Sequence, residues 1–158
     1  MIVDVNRLID EINDLSKSVI EIKNAIIKSL GYDPFEESVN TKVNEMSKYL
    51  ETTIFHMLKF YFSTNDTPKN QWRITIERSM KNFSKGVIIN DKINTNIINK
   101  LEISFQDIYQ NAYDDYMNES EMYTDLLYNI DNIPIKCPWT LEDFLYKDID
   151  ELLEILGG

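Results

Sequence analysis

Met46-Ser47-Lys48-Tyr49-Leu50-Glu51-Thr52-Thr53-Ile54-Phe55-His56-Met57-Leu58-Lys59-Phe60-Tyr61-Phe62 is the stretch that decides the fold. At 3.6 residues per turn, Met46, Leu50, Thr53, Met57 and Tyr61 fall on one helical face. Phe55, Leu58 (or Lys59) and Phe62 fall on a second. A helix apolar over so much of its circumference belongs in the middle of a bundle. The stretch also holds the single histidine, His56, and is followed at Gln71-Trp72-Arg73-Ile74-Thr75-Ile76 by one of the two tryptophans.

Working outward, Asp33-Pro34-Phe35-Glu36 reads as the start of this helix, with Asp33 as N-cap and Pro34 in the first turn, where its missing N–H costs nothing. The central helix is therefore expected over 34–62. Upstream, Val5, Leu8, Ile12, Leu15, Val19, Ile22 and Ile26 recur in steps of three and four, and Leu30-Gly31 supplies a C-cap. β-Branched residues at one core position, with Leu8, Leu15 and Ile22 at the other, are what a two-stranded parallel coiled coil uses. The same stripe serves a long helix packed inside its own bundle. With further helices available to cover it, that second arrangement is expected.

Downstream, Thr67-Pro68 reads as cap and first turn of a third helix carrying Trp72, Ile76, Met80 and Phe83, with Gly86 as its end. Val87 to Ile89 is apolar but too short and isolated to predict a strand. A fourth helix is expected from Asn90 or Thr95 to about Asn118, its stripe formed by Ile97, Ile98, Leu101, Phe105, Ile108, Ala112 and Tyr116. A short helix is expected over 121–129. An extended Pro-bracketed segment covers Ile133 to Trp139, and Thr140-Leu141-Glu142-Asp143 has the form of a capping box. One or two last amphipathic turns follow from Ile149 to Leu156. The expected architecture is all-α: a single domain over 1–158, a bundle of about five helices, its acidic C-terminal segment laid over the central one.

Composition bounds the chemistry. With 158 residues the chain can bury a core without staples. One cysteine, Cys137, excludes an intrachain disulfide framework and a cysteine zinc cage. Residues 1–100 carry 13 acids and 14 bases, a net of +1, and residues 101–158 carry 14 acids and two bases, a net of −12, which together give −11. Such a C-terminal third repels phosphate backbones, so nucleic-acid binding is disfavoured. It reads as a solvated face, with docking of a basic partner as the alternative. No membrane span and no signal peptide are expected, and a cytoplasmic location follows from that reading.

Candidate chemistry is sparse. No Gly-x-Ser-x-Gly elbow, P-loop or dinucleotide loop is present. Glu36-Glu37 and Asp114-Asp115 place adjacent carboxylates about 100° apart on a helix, poor geometry for one ion. His56 could act as base or ligand, with Lys59 one turn on and Glu37 approaching from elsewhere, in a metal-assisted hydrolase or nuclease. A hydrogen-bonded core histidine is the plainer expectation. Trp72 and Trp139 could form a binding platform, or be core anchors with a partnered indole. Cys137 reads as structural.

Three segments resemble the bacterial family catalogued as domain of unknown function 29. His56-Met57-Leu58-Lys59-Phe60 is similar to its histidine-leucine-leucine-lysine-tryptophan segment, and Trp72-Arg73-Ile74-Thr75-Ile76 to its tryptophan-x-x-threonine-isoleucine helix. Cys137-Pro138-Trp139-Thr140-Leu141-Glu142, with Leu145, resembles its closing cysteine-proline-aromatic-threonine-leucine motif. The family's acidic pair ahead of the histidine matches either Asp10-Glu11 or, without an insertion, Glu36-Glu37. Phe60 replaces a tryptophan, and the family's arginine beyond Trp72 falls near Met80 or Lys81. The resemblance implies an all-helical fold and no particular activity. No cofactor or metal is expected. The functional expectation is a helical interaction protein, with a protein partner or a second copy of itself.

Overall fold

The structure is a computed structural model that describes residues 4–31, 33–63, 68–122 and 132–157, leaving aside the side chains of Phe35, Glu37, Ile89 and Met122. Among the described residues there are six helices and one two-residue hairpin: α1 (Val5–Leu30), α2 (Pro34–Phe62), α3 (Lys69–Val87), β1 (Ile88–Ile89), β2 (Lys92–Ile93), α4 (Thr95–Met122), α5 (Leu141–Tyr146) and α6 (Ile149–Gly157). Packing divides the chain into two units, Met1–Ser38 and Val39–Gly158. The helix expected over 121–129 lies mostly outside the described residues.

In the first unit, α1 starts where Asp4 accepts the Arg7 amide at 3.2 Å. It ends at Gly31, whose φ of 77° is the left-handed conformation that glycine adopts without a Cβ penalty. Asp33 caps α2 by accepting the Glu36 amide at 3.2 Å. α1, expected inside the bundle, falls in the first unit, and none of its residues is buried. A heptad pattern specifies a stripe that wants a partner, and says nothing about which surface supplies it.

The second unit holds the core. From α2 it takes Met46, Leu50, Ile54, Met57, Leu58 and Phe62, so both expected faces are covered, although Tyr61 is exposed. From α3 come Ile76 and Phe83; from α4, Leu101, Tyr109, Ala112 and Tyr116 among others. Burial of this many large side chains, at roughly 1.5–3 kcal/mol each, is what holds the unit together.

Three local expectations are corrected here. Lys69, not Pro68, opens α3, with Pro68 at the cap position and no side-chain cap. Gly86 does not end α3; it lies buried inside the helix, where a β-carbon would run into the Met46 thioether. The helix ends instead at β1, which pairs antiparallel with β2, Ile88 opposite Ile93 and Ile89 opposite Lys92. Asn90 and Asp91, with φ of 51° and 61°, make the turn between them. Both central residues in the left-handed region match the twist of a two-residue hairpin, and Asn and Asp tolerate it best after glycine. Ile88 and Ile89 of the apolar run therefore do form a strand, because a turn too weak to read alone is held between two helices.

α4 starts at Thr95, where Asn94 accepts the amides of Asn96 and Ile97. The C-terminal segment closes the core. Thr140 and Asp143 form the expected capping box, the Asp143 amide to Thr140 Oγ1 at 3.2 Å and the Thr140 amide to Asp143 Oδ2 at 2.8 Å. Leu141, Phe144, Ile149, Leu152 and Leu153 turn inward. Arg73 of α3 grips Asp150 of α6 through both terminal nitrogens, at 3.1 and 3.3 Å, and Gly157 closes against the Tyr61 hydroxyl.

Candidate functional site

Lys59 is the centre of a charged cluster that joins three helices of the second unit. α2 directs it inward between Leu58 and Phe62, where it is 8% exposed. A lysine this covered needs partners, because a desolvated charge is costly. It has them: Nζ donates to Glu119 Oε1 of α4 at 3.2 Å and stands 3.1 Å from Oε2. Nζ also lies 5.1 Å from the centre of the Phe55 ring and 4.9 Å from that of Trp72 on α3. Both distances are within cation–π range. Oε2 of Glu119 is buried and takes no directed hydrogen bond.

His56 borders this cluster, half-buried and edge-on to Phe55 at 5.2 Å between ring centres. Its Nδ1–H donates to the Thr52 carbonyl one turn back, at 2.9 Å, which leaves Nε2 as the acceptor. Burial holds the imidazole below its ordinary pKa of 6.5, against the Thr52 bond; Lys59 lowers it further and Glu119 raises it. Burial thus favours the neutral imidazole over the cation.

The structure thus brings His56, Lys59 and Trp72 together and adds Glu119. Glu37 stands on α2 in the first unit and its side chain lies outside those described. Trp139 is elsewhere: it is buried in the core, edge-on to Tyr109 and Phe144, and donates its indole N–H to the Leu152 carbonyl at 2.9 Å. Next to it the Cys137 thiol donates to the Trp139 carbonyl at 3.3 Å, and burial pushes its pKa up to about 11, so it is a thiol and not a nucleophile at neutral pH. Tyr109 donates its hydroxyl to the Pro134 carbonyl. The Pro-bracketed segment is thereby tied to α4 by Tyr109 and to α6 by Trp139. Among the described residues no three histidine, cysteine or carboxylate side chains gather as a metal ion would need, and no helix is long and apolar enough to cross a membrane.

Glu119 was missed by sequence reasoning, yet it left a trace. It continues the Ala112–Tyr116 stripe by three residues, and a carboxylate on a buried stripe announces a buried cation opposite.

The second candidate surface is α1. Val5, Ile12, Leu15, Val19 and Ile22 are 60–66% exposed. Scattered exposed aliphatics are ordinary; a contiguous stripe of them along a 26-residue helix is not.

The family described as Domain of unknown function DUF29 matches residues 34–149. The chain belongs to this family. The DUF29 match takes in the Lys59 cluster and the Cys137–Leu141 segment, and it contains Glu36-Glu37 while leaving out Asp10-Glu11 and all of α1. No curated protein and no solved structure matches the chain. The geometry gives two of the DUF29-like motifs a shared structural point: Lys59 of the first is capped by Trp72 of the second. The third organises the join of α4, α5 and α6.

Proposed function

We propose that this protein is a helical interaction protein that associates with itself through α1. The single observation that supports this reading is the uncovered heptad stripe of that helix. Seven aliphatic positions on each of two helices, at about 1–1.5 kcal/mol each for side chains already partly covered, amount to roughly 14–20 kcal/mol gross. That is comparable to or above the ~4–15 kcal/mol that association costs in lost freedom. Nearly four heptads meet the length at which such pairing becomes stable. The DUF29 portion, 34–149, then forms the body that α1 brings together with a second copy.

Sedimentation velocity on the full chain tests this. A dimer is expected, and Leu15→Asp with Val19→Asp is expected to return a monomer of unchanged helical content in the second unit. A parent protein that sediments as a monomer at tens of micromolar would sink the reading.

A further inference from the structure

We infer that the second copy lies antiparallel on α1. The inference rests on the self-association reading and adds the orientation of the partner. Its basis is the distribution of charge along the helix. Residues 4–15 carry Asp4, Asp10, Glu11 and Asp14 against Arg7 alone, a net of −3. Residues 16–30 carry Lys17, Lys23 and Lys28 against Glu21, a net of +2. Side by side in parallel, the two copies set −3 against −3 and +2 against +2. Reversed, they set −3 against +2 twice.

The apolar stripe permits the reversal. Its steps run three, four, three, four, three, four from Val5 to Ile26, and read backward they are still threes and fours. Reversing one copy exchanges the two core positions and leaves aliphatic facing aliphatic throughout. Hydrophobic burial is then of similar size in both orientations; the β-branched and leucine positions also suit a parallel pair, and it is the charge term that favours the reversal. Paired helix axes lie 8–10 Å apart. Within α1, Glu11 and Lys23 flank the stripe and the other charges lie on the outer face, so the attraction between halves acts over more than the ~8 Å Debye length of physiological ionic strength and is strongest at low salt. The helix macrodipoles by themselves also favour antiparallel alignment, each positive N-terminus beside a negative C-terminus, while offsetting a part of the side-chain charge on each half.

Distances between identical positions in the two copies test the orientation. The full chain carrying Cys137→Ser receives a nitroxide label at Asn6→Cys or, separately, at Asn13→Cys. With the two-fold axis near the middle of the stripe, at about residue 15 or 16, antiparallel pairing puts the two residue-6 labels roughly 28 Å apart along the axis and the two residue-13 labels only about 8 Å apart. Parallel pairing gives a short separation at both positions. A long distance at position 6 with a short one at position 13 is the expected result. Short distances at both overturn the orientation and leave self-association standing. A monomer by sedimentation, or a dimer that Leu15→Asp leaves intact, overturns the reading beneath it as well.

Discussion

Lys59 Nζ on α2 stands 3.1 Å from Glu119 Oε2 on α4, sixty residues away in the chain. The pair is largely withdrawn from water, and its value lies in each charge neutralising the other. Removing one partner therefore costs more than removing both. Lys59→Met is expected to destabilise by about 3 kcal/mol, because it leaves a carboxylate with a buried oxygen and no cation. Lys59→Met combined with Glu119→Leu is expected to recover most of that. Urea denaturation of the two single variants and the double forms the cycle. Simple additivity would show that the two side chains do not act as a pair.

Gly86→Ala sets two effects against each other. Alanine is favoured over glycine inside a helix by about 1 kcal/mol. Here the added methyl meets the buried thioether of Met46, and overpacking costs typically 1–3 kcal/mol. A net loss of about 1 kcal/mol is expected in the urea midpoint. A stabilised Gly86→Ala would mean that Met46 can move aside.

The lowered pKa of His56 makes stability depend on pH with a definite sign. Between its native pKa and the ordinary value of 6.5, the unfolded chain binds more protons at this site than the folded one. The stabilising contribution is complete above 6.5 and is lost as pH falls through the native value. His56→Gln should flatten the decline in denaturation midpoint as pH falls below about 6.5. Equal slopes for parent and variant would exclude His56 as the titrating group.

Trp139→Phe keeps most of the ring volume and removes the donor to the Leu152 carbonyl. A loss of about 1–2 kcal/mol is expected for the unmade hydrogen bond, and about 3–5 kcal/mol for Trp139→Ala. If phenylalanine is as costly as alanine, packing around the ring matters and the hydrogen bond does not.

The hairpin turn gives a conformational test. Asp91 holds a φ of 61°, so Asp91→Gly should stabilise by a few tenths to about 1 kcal/mol, while Asp91→Val should destabilise by more than that. Thermal unfolding of the two variants checks the order. The reverse order would mean that the turn is not left-handed in solution.

The local parts of this fold were legible because their causes are local. Asp33-Pro34 marks the start of α2, Gly31 the end of α1, and Thr140 with Asp143 the start of α5; in each case a hydrogen bond or a dihedral preference spans only a few residues. The three motif segments all lie within the family match at 34–149. The candidate site was half legible: Lys59 and His56 stand together on one helix, whereas Glu119 reaches them across the bundle from a position whose only trace is its place on the α4 stripe.

By itself, then, the sequence determined where the chain is helical and which faces are apolar, since both follow from spacing and capping along a single segment. Tertiary structure decided what each face meets. It turned Gly86 from a helix end into a contact with Met46, because a missing side chain is read differently when another helix lies against it. It also left the α1 stripe exposed in its own unit, because periodicity encodes the need for a partner and does not say which surface supplies it.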